Sequence, residues 1–153
     1  EFQGDTTMPT AHAQHTDTTP VPAQDALIYV MVMLSAADAE MSDNELALIG
    51  DLVRHLPVFR GFEVNSLTKV ARDCTHHLSL KDGMHHTLHL IRESLPRPLR
   101  ETAYALGCDL AAADGVVSPE EMRLLELLRH ELDIDRLHAA AIERGARARY
   151  LVG

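Results

Sequence analysis

The sequence predicts an all-α domain of about seven helices, arranged as a pseudo-two-fold bundle with two central buried helices. From residue 22 onward, β-branched and aromatic residues are sparse, and no alternation of apolar and polar residues with period two persists. Residues that favour helix, namely Ala, Leu, Glu, Arg and Met, dominate this region. A segment of 23 residues also occurs twice, which indicates two related halves.

The first and fifth predicted helices are expected to form the buried centre of the bundle. The first covers residues 23–37, and its stretch 27–34 is apolar all round, so it must be buried on most sides. The fifth begins near Pro98, a residue that suits a first helical position, and continues to about residue 113. The other five helices are predicted between Ser42 and Pro57, over 65–78, over 84–95, from Pro119 onward and over 135–148.

Length and composition indicate one globular domain preceded by a flexible tail. The chain has 153 residues, and domains usually have about 100–200 residues. Residues 1–22 are rich in Thr, Pro, Gln and His and contain few large apolar side chains, which is typical of a flexible tail. Residues 23–153 are therefore assigned to the all-α domain.

Charge and hydropathy restrict the classes of partner and the cellular compartment. The net charge of −9 argues against sequence-independent binding to nucleic acid or binding to anionic lipid. No apolar run approaches the roughly 18 residues that a membrane span needs, so no membrane insertion is expected. Cys74 and Cys108 are too few for a disulfide scaffold and are interpreted as free thiols in a reducing compartment. Because no secretory signal is found, the sequence predicts a cytoplasmic protein.

Two segments of the sequence align without gaps at an offset of 76 residues. Residues 34–56 read LSAADAEMSDNELALIGDLVRHL, and residues 110–132 read LAAADGVVSPEEMRLLELLRHEL. Nine of the 23 aligned positions are identical. Two copies are too few for a solenoid, so the repeat indicates a pseudo-symmetric domain in which each half is built around one buried helix.

Each copy contains the signals for a helix end, a short loop and a helix start. Ser42-x-x-Glu45 and Ser118-x-x-Glu121 both fit a capping box, in which serine and glutamate each accept a bond from the other's backbone N–H. Gly115 follows the Ala-Ala-Asp of the second copy, where a left-handed residue commonly closes a helix. We call residues 36–45 the first elbow and residues 112–121 the second elbow.

This duplicated pattern resembles the tellurite-resistance TerB-like family, and also the amino-terminal region of the co-chaperone DjlA. The residues that carry the resemblance are Ala36-Ala37-Asp38 with Ser42-x-x-Glu45, Leu95-Pro96 with Arg100-Glu101, and Ala112-Ala113-Asp114-Gly115 with Ser118-x-x-Glu121. The resemblance implies a TerB-like helical bundle over roughly residues 23–142 and a bacterial source. It also implies a non-enzymatic role linked to tellurite and other chemical stress, with metal binding by acidic positions.

The acidic side chains of the two elbows form the first candidate site. They are Asp38, Glu40 and Glu45 in the first elbow, and Asp114 and Glu121 in the second. A divalent cation such as Ca²⁺, Mg²⁺ or Mn²⁺ takes several oxygen ligands, which such turns could supply. The Asp-to-Glu spacing of about seven excludes an EF-hand, whose spacing is about eleven. In the alternative interpretation, the serines and glutamates only cap helices, and the two aspartates bond loop amides.

Histidines near the predicted third and fourth helices form a second candidate site. His85 and His89 are separated by one helical turn, a spacing that can hold Zn²⁺ or Ni²⁺. His76 or His77 could supply a third ligand across the short turn that follows them. The alternative is that these imidazoles are solvated or partly buried structural residues.

Asp109 lies on the fifth helix, which is expected to be largely buried. A buried carboxylate needs a partner, for which Arg100 or a histidine is a candidate. The alternative interpretation, which the sequence slightly favours, places Asp109 at the solvent-facing rim of the helix.

Catalysis finds little support in the sequence, which has no Gly-rich phosphate loop, no nucleophile elbow and no CxxC motif. The leading interpretation is a non-enzymatic stress-response protein that binds a divalent cation through its repeated acidic loops. The alternative is a protein–protein interaction or co-chaperone-like module that binds no metal and docks unidentified partner proteins through an exposed helical groove. A homodimer is left open.

Overall fold

The computed structural model describes residues 19–37 and 41–153. Within these residues the chain forms seven α-helices and no strand. The helices are α1 (Ala23–Ala36), α2 (Asp43–His55), α3 (Leu67–Ser79), α4 (Gly83–Ser94), α5 (Arg100–Ala112), α6 (Pro119–Glu131) and α7 (Arg136–Arg149). Short 3₁₀ turns lie at Pro57–Phe59, Val64–Ser66 and Arg97–Leu99. The predicted all-α class is confirmed, although α5 starts at Arg100 because Pro98 belongs to a 3₁₀ turn.

The centre of the bundle is formed by α1 and α5. Residues 26–35 of α1 are buried without interruption, because α2, α3, α4, α5 and α6 all pack against this helix. On α5, residues 103–104 and 106–111 are buried. The two helices approach closely at Gly107, where a Cβ atom would lie 3.3 Å from Val30 Cγ1. The prediction of two central buried helices is therefore confirmed.

In the C-terminal half, α7 lies beside α5 and runs in the same direction. Near the start of both helices, His138 Nδ1 lies 3.0 Å from Glu101 Oε2. Near their ends, Arg149 donates to the carboxylate of Asp109. Because the N-terminal ends of α5 and α7 contact each other and their C-terminal ends do too, the two helices are parallel.

In the N-terminal half, α3 has the same relation to α1. The thiol of Cys74 lies 3.7 Å from the carbonyl oxygen of Tyr29, and the rings of Tyr29 and His77 are 5.8 Å apart. Asp25 interacts electrostatically with Lys69, one turn earlier on each helix. Each half of the bundle thus has a central helix with a parallel neighbour.

The helix that follows each elbow begins at the same position of the two aligned segments and has the same length. α2 begins at Asp43 and α6 begins at Pro119, 76 residues later, and each helix has 13 residues. Each helix buries only a few residues fully and packs two half-buried leucines against the core, and most of its other residues are exposed. The predicted starts of both helices, after Ser42 and Ser118, are confirmed.

The chain packs against the bundle from Val21 onward, within the segment that the sequence assigned to a tail. The N–H of Val21 donates to Ser94 Oγ over 3.0 Å, and its half-buried side chain packs against the core. Residues 1–18 of the predicted tail lie outside the described residues. No helix in the described part of the chain combines the length and the apolar character needed to span a bilayer.

The start of α7 depends on a charged cap. Asp135 Oδ1 accepts hydrogen bonds from the N–H groups of Leu137 and His138, over 2.8 and 3.3 Å. These two bonds lower the pKa of Asp135 below 3.8, because they stabilise the carboxylate at the positive end of the helix dipole.

This cap makes the stability of the protein depend on pH in the acid range. Since the folded-state pKa of Asp135 is lowered, its contribution is complete above pH 3.8 and is lost as the pH falls through the lower folded-state value. Asp135→Asn keeps an acceptor oxygen but removes the charge. We expect wild type to melt at a higher temperature than this variant at neutral pH, and the difference to disappear in strong acid. A difference that is constant over the whole titration would contradict the assignment.

Candidate functional site

The second elbow forms the capping box that its sequence predicts. The N–H of Glu121 donates to Ser118 Oγ over 3.1 Å, and the N–H of Ser118 donates to Glu121 Oε1 over 2.9 Å. Gly115 has φ of +81°, so this glycine closes α5 in the left-handed conformation. The Glu121 side chain is only 4% exposed, whereas Asp114 is exposed. One oxygen of the buried carboxylate is therefore used to hold the helix start.

The first elbow has the same cap. The N–H of Glu45 donates to Ser42 Oγ over 3.1 Å, the N–H of Ser42 donates to Glu45 Oε1 over 2.8 Å, and Glu45 is 3% exposed. Asp38 and Glu40 lie outside the described residues. The capping roles assigned to Ser42, Ser118, Glu45 and Glu121 are thus borne out by hydrogen bonds in both elbows.

A groove opens between α6 and α7, which both pack against α5 and form its walls. It has a volume of about 1060 Å³, and we call it the C-terminal groove. Its floor contains Tyr104, Cys108 and Ala111 of α5, which are nearly inaccessible to solvent. The other apolar lining residues, from α6, α7 and the adjacent loops, include Val117, Met122, Leu125, Ala146, Tyr150, Leu151 and Val152.

Exposed apolar side chains are concentrated at this groove. The described residues include nine large hydrophobic side chains that are exposed to solvent, and four of them line the groove. These four are Val117, Met122, Leu151 and Val152. Val116, which directly precedes Val117 in the second elbow, is 77% exposed. Clustered exposed apolar groups of this kind are typical of binding surfaces.

Charged side chains form the rim of the groove. They are Arg123, Glu126 and Arg129 on α6, and Glu143 and Arg147 on α7. The hydroxyl of Tyr104 donates a hydrogen bond to the carboxylate of Glu143. Burial raises the pKa of this tyrosine, and the bond to Glu143 raises it further, so the hydroxyl remains a donor at neutral pH.

The family model described as tellurite resistance protein TerB matches residues 24–144. The chain belongs to this family. The match includes both elbows, all of α5 and α6, and α7 as far as residue 144, and it confirms the resemblance seen in the duplicated motif. The groove-lining residues Ala146, Arg147 and 150–152 follow the matched segment. Comparisons with curated proteins and with solved structures gave no match.

The acidic residues proposed as metal ligands are only partly described in this TerB domain. Among residues 19–37 and 41–153, no group of three or more His, Cys, Asp or Glu side chains is arranged to hold a metal ion. In the second elbow, the Glu121 carboxylate accepts a hydrogen bond from the N–H of Ser118, while Asp114 is exposed. Cation binding by Asp38, Glu40, Glu45, Asp114 and Glu121 therefore stays a prediction.

The histidines of α3 and α4 meet in a pair that the sequence did not predict. His77 Nδ1 lies 2.9 Å from His86 Nε2, and their ring centroids are 5.0 Å apart. The predicted ligands His85 and His89 are both exposed on α4, where His89 Nδ1 is 3.8 Å from Glu131 Oε2. The i,i+4 spacing indicated one helical face but could not show which histidine faces α3. A transition-metal site at His85 and His89 stays a prediction.

Asp109 is buried, contrary to the solvent-facing position that the sequence slightly favoured. It is 8% exposed, and its partner is Arg149 at the end of α7, rather than Arg100 or a histidine. The hydrogen bond from Arg149 satisfies the charge that burial would otherwise penalise. Parallel packing of α5 and α7 makes this contact, and the sequence alone gave no signal that α7 returns to this position.

Both thiols of the TerB domain are buried. Burial raises the pKa of Cys74 and that of Cys108 to about 12, so both are protonated at neutral pH. Cys108 lies in the floor of the C-terminal groove, but in this form it contributes apolar surface rather than a nucleophile.

Proposed function

We propose that this TerB-family protein acts in resistance to tellurite and related chemical stress as a non-enzymatic domain that docks a partner protein in the C-terminal groove. The observation that carries this proposal is the concentration of exposed Val117, Met122, Leu151 and Val152 around one apolar groove. Removing such side chains from water is the main driving force of protein association. The size of the groove suits a protein segment that inserts between α6 and α7.

The repeat supplies a matched pair of positions for testing this proposal. Met122 and Leu46 are each the fourth residue of the helix that follows an elbow, and they are 61% and 55% exposed. Only Met122 lines the groove. Glutamate at either position faces solvent in the free protein, so neither substitution should change the melting temperature appreciably.

Met122→Glu is expected to lower the tellurite resistance of a host strain that depends on this protein, whereas Leu46→Glu should preserve it. An unpaired charge buried in an interface costs more than about 1.4 kcal/mol, which weakens binding at least tenfold. The measurement is the lowest tellurite concentration that stops growth, with equal protein levels checked by immunoblot. Equal resistance in the two variants would contradict the proposal.

The groove could instead be filled by a second copy of the same chain in a homodimer. Sedimentation of wild type and both variants tests this alternative. A wild-type dimer that Met122→Glu dissociates would overturn the partner-protein assignment.

A second candidate function is cation binding by the two elbows. It is supported by the equivalent burial of Glu45 and Glu121, each within a loop motif that also contains an aspartate, Asp38 or Asp114. Capping accounts for one oxygen of each glutamate, and the capping motif assigns no role to the aspartate that the two loop motifs share in sequence. Calorimetric titration with Ca²⁺, Mg²⁺ and Mn²⁺ tests this proposal, with Asp38→Asn/Asp114→Asn as the variant expected to lose binding. Absence of heat with all three ions would rule it out. The predicted transition-metal site at His85 and His89 is tested by Zn²⁺ titration of wild type and His85→Ala/His89→Ala, of which the variant should lose affinity for Zn²⁺.

A further inference from the structure

The cationic side chains of the groove rim are available for a partner. Arg123 on α6 and Arg147 on α7 are both exposed and lie on opposite walls. Among the described residues, neither makes an ion pair within 4.0 Å. Since an exposed guanidinium without a carboxylate partner keeps its full set of donors, both arginines can bind carboxylates from outside.

The acidic side chains of the same rim are fewer and partly engaged. Of the two glutamates, Glu143 already accepts a hydrogen bond from the buried Tyr104 hydroxyl. Glu126 is exposed, on the same helix as Arg123 and Arg129, three residues from each. The rim therefore has more arginines than glutamates.

The α7 wall of the groove is basic on a molecule whose net charge is −9. α7 contains four arginines and one glutamate, whereas α6 contains two arginines and four glutamates. Because arginines outnumber carboxylates along α7, this wall of the groove attracts acidic side chains of a partner and repels basic ones. Charge thus selects among the segments whose apolar side chains could fill the groove.

We propose that the occupant is an acidic amphipathic helix of a partner protein. This inference rests on the proposed docking function and specifies the chemistry of the partner. Its apolar face would pack on the floor between α6 and α7, and carboxylates flanking that face would meet Arg123 and Arg147. This is the helix-in-groove mode, in which apolar side chains supply affinity and the flanking charges set orientation and specificity.

Two synthetic peptides test this proposal with the full-length protein. Both are fluorescently labelled and about 14 residues long, close to four helical turns, with leucines at i, i+3, i+4 and i+7 spacing. One has glutamate at the polar positions and the other lysine. Fluorescence anisotropy should show that wild type binds the glutamate peptide at least tenfold more tightly than the lysine peptide, and less tightly as salt is added.

Charge reversal at the two arginines provides the decisive variant. Arg123→Glu/Arg147→Glu should bind the lysine peptide in preference to the glutamate peptide. Arg60→Glu/Arg72→Glu makes the same change in net charge at exposed positions of the N-terminal half, and should keep the wild-type preference. All four substituted side chains are exposed, so both variants are expected to fold, which circular dichroism checks.

The outcomes separate this inference from the proposed function. Equal binding of the two peptides by wild type, or the same change of preference in both double variants, would overturn the acidic-helix assignment. If Met122→Glu nevertheless lowered tellurite resistance, the docking function would stand with a partner of different chemistry. If Met122→Glu left resistance unchanged while the peptide preference followed the arginines, the groove would bind acidic helices without serving tellurite resistance.

Discussion

Gly83→Ala should destabilise the protein by about 3 kcal/mol, the upper part of the usual range for overpacking. Gly83 is the first residue of α4, is buried, and packs directly against the last turns of α3. A Cβ atom at this position would overlap the carbonyl oxygen of Leu78 and lie 2.9 Å from that of His77. Both are backbone atoms of a helix, so neither can rotate away, and α3 and α4 would have to separate.

A second glycine gives the control for this substitution. Gly145 lies inside α7, where a Cβ atom would meet only the flexible end of Arg149, at 3.5 Å. Gly145→Ala should therefore stabilise the protein by up to about 1 kcal/mol, because alanine favours helix and nothing is displaced. Urea denaturation of wild type and the two variants measures both effects. A Gly83→Ala variant that is as stable as wild type would show that the hairpin between α3 and α4 is not packed as described.

The helices could be predicted because their signals are local. Ser42 and Ser118 mark the starts of α2 and α6, since a capping box needs only four consecutive residues. The uninterrupted apolar stretch of α1 indicated burial on most sides, and residues 26–35 are indeed buried. The starts of α2 and α6 occupy the same position of the two aligned segments, since the two helices begin 76 residues apart.

The groove and the side-chain pairs could not be predicted because they depend on how distant helices meet. Val117 and Met122 were visible in the sequence as apolar residues, but the groove that they line also requires α7, which begins 14 residues after Met122. The bond between Asp109 and Arg149 likewise requires that α5 and α7 be parallel. Spacing within one helix shows which residues share a face, and it gives no information about the helix that this face meets.

Gly107→Leu should cost about 3 kcal/mol or more, because side chains of α1 and α6 pack directly against this glycine of α5. A Cβ atom there would be 3.3 Å from Val30 Cγ1 on α1, 3.3 Å from Leu125 Cδ2 on α6 and 3.5 Å from Leu128 Cδ2 on α6. A leucine adds three further carbon atoms, which must displace α6 because α1 is held from several sides. Glycine inside a helix is less favourable than alanine by about 1 kcal/mol, and close packing of this kind is a physical reason for its presence here.

The same substitution connects the core to the proposed binding surface. Leu125 packs toward Gly107 and also lines the C-terminal groove, so moving α6 changes the shape of the groove. At temperatures where Gly107→Leu is still folded, we expect it to bind the glutamate peptide more weakly than wild type.

Gly107→Ala is the control variant. Its stability and its peptide binding should be close to those of wild type, because its gain in helix propensity offsets two tight contacts. Urea denaturation and peptide anisotropy measured on the same preparations test this. Normal peptide binding by a destabilised Gly107→Leu would show that the position of α6 does not control the groove.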